Sequence, residues 1–170
     1  MVEKGYLLDT NVASAANYEN SNQHNRVRNW LGTLGRNDFT YISAVSLAEI
    51  EYGLNLKPLS ATDKAKVRSL LAPYRILDLD RHTAKVYGEI RADIFNRYSP
   101  KDQRGRVKRK YVEDLLEGTS GKNLGIQEND LWIVSVAVQH NMELVTFETG
   151  GKMGRIVDVA NYGQRTIYLT

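Results

Sequence analysis

Short apolar runs of strand length alternate with longer amphipathic segments along most of this chain. The predicted strands are Gly5–Leu8, Phe39–Ile42, Arg75–Leu79 and Glu143–Phe147, with weaker candidates near Ile156–Val159 and Thr166–Leu169. The predicted helices are Asn22–Leu34, Ser46–Leu56, Ala61–Ala72, Arg81–Tyr98 and Asp130–His140. Strands that alternate with helices of this length form parallel βαβ units. We therefore predict an α/β fold in which a mostly parallel central sheet is covered by helices on both faces.

Length and composition narrow the class of protein. A chain of 170 residues with 42% hydrophobic content suits one compact domain, which we expect to span residues 1–170. No apolar run approaches the roughly 20 residues that a membrane-spanning helix needs. The absence of cysteine excludes disulfides and thiolate metal sites. The chain begins without the long apolar stretch of a signal peptide, so we expect a cytoplasmic location.

A basic, turn-rich segment at residues 99–124 interrupts the alternation, and we interpret it as an excursion within the domain, mobile or partner-binding. Seven basic residues between positions 97 and 110 face one acid, Asp102. The basic residues are Arg97, Lys101, Arg104, Arg106, Lys108, Arg109 and Lys110. Such a run can contact nucleic-acid phosphates. A solvated surface segment, or a contact for an acidic protein partner, is the alternative.

Four acidic residues stand where a parallel α/β chain opens its loops: Asp9, Glu49, Asp130 and Glu148. Asp9 and Glu148 each follow a predicted strand, Glu49 lies in the first turns of a helix, and Asp130 begins one. Ligands of open parallel sheets bind outside the carboxyl ends of the strands. If the fold gathers these acids, their charges repel, and a hard divalent cation that prefers carboxylate oxygens removes the conflict.

Each acid also has an ordinary structural explanation. Asp9 and its two neighbours favour helix N-termini, and Asp130 after Asn129 has the pattern of an N-cap. Ser46 and Glu49 have the spacing of a capping box, in which the glutamate side chain bonds the backbone of the serine. Glu148 alone would be an exposed loop acid. The argument for a site therefore rests on the four together.

These segments, in this order, resemble the PIN-domain family, and in particular its VapC-like toxin ribonucleases. The resemblance is carried by four stretches of sequence. They are Leu8-Asp9-Thr10-Asn11, the run from Ile42 through Ser46 and Glu49 to Tyr52-Gly53, Asn129-Asp130-Leu131-Trp132-Ile133, and Leu144-Val145-Thr146. The resemblance covers nearly the whole chain and implies a three-layer α/β/α domain.

The resemblance also implies a function: an acidic cluster that binds Mg²⁺ or Mn²⁺ and cuts RNA. On this basis the catalytic metal ligands are Asp9, Glu49, Asp130 and Glu148, although family members usually carry aspartate at the last position. Thr10, Asn11 and Thr146 would support the carboxylates and water. A cognate antitoxin and a homodimer are further implied. We assign Arg104, Arg106, Lys108 and Arg109 to the RNA backbone as a working hypothesis.

Three other classes of protein are considered. Haloacid-dehalogenase phosphatases also place an aspartate after the first strand, but position 11 is Asn where they carry a second Asp, and the Glu49 motif would be unexplained. The Gly118–Asn123 stretch resembles the end of a nucleotide-binding P-loop. However, Leu116 stands where that motif has its first glycine, and Asn123 stands where it has Ser or Thr. A non-catalytic RNA- or protein-binding domain with the same fold remains the alternative, and specific Mn²⁺ binding would distinguish it from a nuclease.

Overall fold

The computed structural model describes residues 4–149 and 151–170. Within these residues the chain divides into two compact units. The first contains the described residues up to Leu79, together with Met142–Phe147 and Ile167–Thr170. The second contains Asp80–Asn141 and the described residues from Glu148 to Thr166. The first unit carries the sheet, and the second is helical.

The five strands of the sheet follow the order β3-β2-β1-β4-β5. They are β1 (Lys4–Leu8), β2 (Asp38–Ser43), β3 (Arg75–Leu77), β4 (Glu143–Thr146) and β5 (Thr166–Tyr168). β1 pairs in parallel with both β2 and β4, and β2 pairs in parallel with β3. The strand order therefore reverses at β1, with β2 on one side and β4 on the other. In open parallel sheets such a reversal marks the edge at which ligands bind.

Four helices complete the first unit: α1 (Thr10–Asn17), α2 (His24–Leu31), α3 (Ala44–Leu56) and α4 (Ala61–Leu71). α1 contacts β1 and β4 and turns Val12 and three alanines into the core. These small side chains let the helix lie close to the strands that flank the reversal. The core around them includes Leu8, Ile42 and Val145, all fully buried. Burial of each such side chain contributes about 1.5–3 kcal/mol.

The second unit consists of α5 (Arg81–Tyr98), α6 (Glu128–Gln139) and α7 (Lys152–Val159), with 3₁₀ turns at Val112–Asp114 and Gly163–Arg165. The three long helices contact one another pairwise. α5 begins at a capping box in which the Asp80 side chain accepts hydrogen bonds from the backbone of His82 and Thr83. Tyr87 of α5 stacks on Trp132 of α6, with ring centroids 3.8 Å apart. The capping box thus fixes where α5 begins, and the stacked rings hold α5 against α6.

The structure confirms the parallel sheet and corrects some boundaries. Residues near Ile156–Val159, predicted as a weak strand, belong to helix α7. The strand prediction rested on three β-branched residues, but Met153, Gly154, Ile156 and Val157 are buried with helical spacing. Helix α1 was not predicted as a helix. α3 and α6 each begin two residues before the predicted start.

Segment 99–124 is anchored rather than loosely attached to its unit. Val112, Leu115 and Leu124 are buried, and two isolated bridges join Lys101 to Val107 and Leu116 to Asn123. Within this segment, Val112–Asp114 forms a single 3₁₀ turn. Among the described residues, no helix is both long and apolar enough to cross a bilayer.

Candidate active-site residues

Asp9 lies at the carboxyl end of β1, beside the point where the strand order reverses. Its side chain is 2% exposed. Its backbone N–H donates to Val145 O at 2.9 Å, and the Thr146 hydroxyl donates to Asp9 Oδ2 at 3.0 Å. Asp9 occupies the N-cap position of α1, yet its side chain makes no capping hydrogen bond. The buried carboxylate is therefore held by β4, and ordinary helix capping does not explain it.

Glu49 lies in the second turn of α3, and the structure rejects the capping-box explanation for it. The N-cap of α3 is Ser43, whose hydroxyl accepts from Ser46 N at 3.0 Å. The Glu49 carboxylate instead accepts a 2.5 Å hydrogen bond from the Thr10 hydroxyl at the start of α1. Glu49 is thus held across the unit by a residue 39 positions earlier.

The other acid of the same helix, Glu51, has a different role. Both of its carboxylate oxygens accept hydrogen bonds from Arg68 of α4 at 2.7 Å. The hydrogen bond from Arg68 lowers the pKa of Glu51 below its ordinary value. This bidentate pair connects α3 to α4 on the surface, so Glu51 has a partner different from that of Glu49.

Within the first unit, the structure therefore groups four of the residues chosen from the sequence. Asp9 bonds Thr146, and its neighbour Thr10 bonds Glu49. Asn11, the third support residue predicted, lies exposed on α1. The carboxylates come from two separated segments, and each accepts a hydroxyl hydrogen bond.

Asp130 lies in the second unit, at the third residue of α6, and is partly buried. The helix begins at Glu128, two residues before the predicted start at Asp130. Glu128 accepts hydrogen bonds from Tyr87 Oη and from Arg91 Nη1, the latter at 2.9 Å. Its backbone N–H donates to Glu113 Oε1 at 3.0 Å. Burial raises the pKa of the Glu128 carboxyl above its ordinary value.

These contacts around Glu128 were missed by the sequence interpretation, although they fix the turn that carries Asp130. One signal was visible: Tyr87 and Arg91 are four residues apart, so they share one face of a predicted helix. Their partner is 37 or more positions away, and nothing in the sequence identifies it.

Glu148 follows β4 by two residues and is partly buried. Its carboxylate accepts a 3.3 Å hydrogen bond from Met153 N in the first turn of α7. Glu148 therefore bonds the first turn of α7, whose N-cap is Gly151, a contact that its sequence position alone did not indicate. Neither unit, taken by itself, gathers three acidic or histidine side chains in a metal-binding arrangement among its described residues.

The four basic residues assigned to RNA are all exposed. Arg106 differs from the others because its side chain pairs with Asp102 at 2.9 Å. Arg104, Lys108 and Arg109 make no ion pair with a described residue. The group therefore divides into one structural arginine and three exposed cations.

Comparison with known proteins decides the family. The sequence profile of the PIN domain matches residues 6–155. The chain belongs to the PIN-domain family. Ribonuclease VapC2 of Rickettsia felis is 28% identical to it over 142 residues, which are 83% of this chain and 84% of that protein. The family predicted from the sequence is confirmed.

Solved structures of PIN proteins share the fold. VapBC2 from Rickettsia felis, bound to a DNA fragment from its promoter, superposes with a TM-score of 0.60 at 26% identity, over 85% of this chain and 88% of that chain. FitAcB from Neisseria gonorrhoeae superposes with a TM-score of 0.62 at 27% identity, over 96% and 97%. The predicted PIN-like α/β fold is therefore confirmed.

Proposed function

We propose that this chain is a metal-dependent ribonuclease that hydrolyses RNA phosphodiester bonds, and that it is the toxin of a toxin–antitoxin pair. The observation that carries the proposal is the buried Asp9 carboxylate at the reversal of a PIN-type sheet, held by Thr146. The similarity to Ribonuclease VapC2 over most of both chains supports it.

The residues around Asp9 fit a hard divalent cation. Asp9 and Glu49 offer carboxylate oxygens, and the Thr146 and Thr10 hydroxyls orient them by hydrogen bonds. Mg²⁺ and Mn²⁺ prefer such oxygen donors, and partners of this kind normally orient metal ligands. When bound, the cation supplies an acidified water and stabilises charge on a phosphate oxygen.

The chain's own residues have three roles in this proposal. Asp9 and Glu49 would hold the cation, as would Asp130 and Glu148 of the second unit; this four-ligand assignment is the sequence prediction. Thr10 and Thr146 orient the carboxylates. Asn11, exposed on α1, is proposed to hold water.

The experiment that tests the proposal is cleavage of structured and unstructured RNAs by the purified chain with Mg²⁺, with Mn²⁺ and with EDTA. Asp9→Asn and Asp130→Asn each remove one proposed ligand charge without changing side-chain size. Asp93→Asn, on the exposed side of α5, is the matched control. We expect EDTA and each ligand variant to reduce cleavage by more than about 100-fold, since even supporting residues of metal sites contribute about 10–100-fold.

Equal cleavage by all the variants would assign the activity to a contaminant and contradict the proposal. If neither the wild type nor any variant cuts any of the RNAs, Mn²⁺ titration distinguishes the remaining explanations. Binding that Asp9→Asn abolishes would point to a missing substrate, whereas no binding would favour a non-catalytic member of the family.

The partner proposals follow from the same similarity. Similar solved structures include VapBC2, which is bound to a DNA fragment, and FitAcB. We propose that this chain pairs with a cognate antitoxin, forms a homodimer and acts in the cytoplasm. Light scattering of the purified chain tests the homodimer: a monomeric mass at micromolar concentration would contradict it.

A further inference from the structure

A hydrogen-bonded basic hairpin leads out of α5. Lys101 and Val107 form an antiparallel bridge around Gly105, whose φ is +77°. The carboxylate of Asp102 accepts hydrogen bonds from the Arg104 and Arg106 backbone at 2.8 and 2.9 Å, and from Arg106 Nε at 2.9 Å. The backbone hydrogen bonds, chiefly that of Arg106, lower the pKa of Asp102 below its ordinary value. Asp102, the one acid of the hairpin between Lys101 and Val107, therefore organises its turn.

An open groove of about 510 Å³ lies between α5 and the end of this hairpin. Its apolar side includes Gly88, Ala92 and Phe95 of α5 and Val107 of the hairpin. Its basic side is formed by Arg109 and Lys110. Both cations are exposed, and neither makes an ion pair with a described residue. The groove thus combines an apolar floor with a cationic rim.

Arg91 fixes the basic rim in place. Its Nη2 donates to Lys110 O at 3.0 Å, and its Nη1 pairs with Glu128 at 2.9 Å. The backbone that carries the exposed cations is therefore tied to α5 and to the first turn of α6. Tyr111, the next residue, leaves 62% of its surface exposed. A rim held in this way needs little ordering when a ligand binds.

We propose that this groove binds single-stranded RNA, an inference that rests on the proposed ribonuclease function and adds a substrate-binding surface to it. One base lies on the apolar floor, and the flanking phosphates contact Arg109 and Lys110. Lys108 and Arg104 extend the cationic track, and Tyr111 offers a face for a second base. Cations repeated along a segment beside an exposed aromatic ring match the regular phosphates and bases of a single strand.

Fluorescence anisotropy tests the proposal with a labelled, unstructured RNA of about 12 nucleotides, within the range of single-strand sites. EDTA is present throughout, so binding is measured without cleavage. The double variant Arg109→Gln/Lys110→Gln is compared with Lys57→Gln/Lys66→Gln, which removes the same charge from exposed positions of the first unit. We expect only the groove variant to make the slope of log binding constant against log salt concentration shallower, by about 1.4. Each single-strand phosphate contact contributes about 0.7 to that slope, and this variant removes two contacts.

A second pair of variants tests the floor. Ala92 is exposed in α5, so Glu and Gln are both accommodated there by the helix. Ala92→Glu places a negative charge against the RNA, and we expect it to bind several-fold more weakly than Ala92→Gln. Equal affinities for these two variants, or equal losses for the two double variants, would overturn the proposal.

The same assay separates this proposal from its rivals. A Glu-rich peptide that binds the wild type and not Arg109→Gln/Lys110→Gln, while RNA does not bind, would assign the groove to an acidic protein and overturn the RNA assignment. Because binding is measured in EDTA, loss of RNA cleavage in Asp9→Asn with unchanged binding supports both proposals. If the groove variants change neither RNA binding nor metal-dependent cleavage, the proposal that the groove binds RNA is contradicted, while the proposed ribonuclease function stands.

Discussion

Two consecutive residues, Asp9 and Thr10, connect the end of β1 to two other segments of the first unit. Asp9 receives the Thr146 hydroxyl from β4, and Thr10 donates its hydroxyl to Glu49 of α3. A threonine side chain can keep its volume and lose its hydrogen bond when it is replaced by valine. The positioning of each carboxylate can therefore be tested without removing the carboxylate.

Thr146→Val should weaken Mn²⁺ binding and RNA cleavage by about 10–100-fold, because partners that orient metal ligands typically contribute that much. Isothermal titration measures the first effect and a cleavage assay the second. Thr146→Ser keeps the hydroxyl and serves as the control, with a change of only a few-fold expected. If Thr146→Val keeps its activity while Thr146→Ser loses it, the buried methyl group, and not the hydrogen bond to Asp9, is what matters.

At the scale of elements, α5 contains a glycine with no evident structural need. A Cβ added at Gly88 would meet no atom within 4 Å, so Gly88→Ala should raise the free energy of unfolding by about 0.5–1 kcal/mol. Gly125 is the contrasting control: its φ is +70°, and a Cβ there would lie 3.1 Å from Lys152 Cγ. Chemical denaturation should show stabilisation for the first variant and destabilisation for Gly125→Ala. A loss of stability in Gly88→Ala would contradict the described geometry.

The cap of α5 makes a separate, pH-dependent prediction. Backbone hydrogen bonds, chiefly from Thr83, lower the pKa of Asp80 below its ordinary value of 3.8. The stabilisation by the ionised side chain is therefore complete above that value and is lost as the pH falls through the lower pKa of the folded state. Asp80→Asn keeps a capping oxygen without the charge. Denaturation between pH 7 and pH 3 should show a stability difference from the wild type that shrinks on acidification; a constant difference would exclude the charge as its source.

For the whole molecule, bound metal should appear as added stability, because a ligand that binds only the folded state raises the free energy of unfolding. The increase is about 2.7 kcal/mol at 100 times the dissociation constant. Thermal melts with and without Mn²⁺ measure it. We expect a rise in Tm for the wild type and Asp93→Asn, and none for Asp9→Asn. An equal rise in all three would place the metal away from Asp9.

Much of the fold follows from local pattern. Most of the strands and helices and the parallel sheet were predicted from the sequence, because strand and helix periodicities are local properties. The family was predicted from the resemblance of four sequence motifs. The errors have local causes too. Three β-branched residues at positions 156–159 suggested a strand, and the small residues of α1 gave no strong helical periodicity. The expectation that residues 1–170 form a single domain stays a prediction.

For the candidate site too, some features could be predicted from the sequence and others could not. The sequence by itself determined which residues are candidates, because acids placed after strands and at helix starts are visible as spacing. Only the tertiary structure decided their environments, since hydrogen bonds between distant segments leave no local pattern. It showed that Ser43, not Ser46, caps α3, and that Glu148 accepts a hydrogen bond from the first turn of α7. It also showed that the Thr10 hydroxyl bonds Glu49 and the Thr146 hydroxyl bonds Asp9. The charge of the basic segment was likewise visible in the sequence, whereas the groove beside Arg109 exists only because α5 and the hairpin pack together.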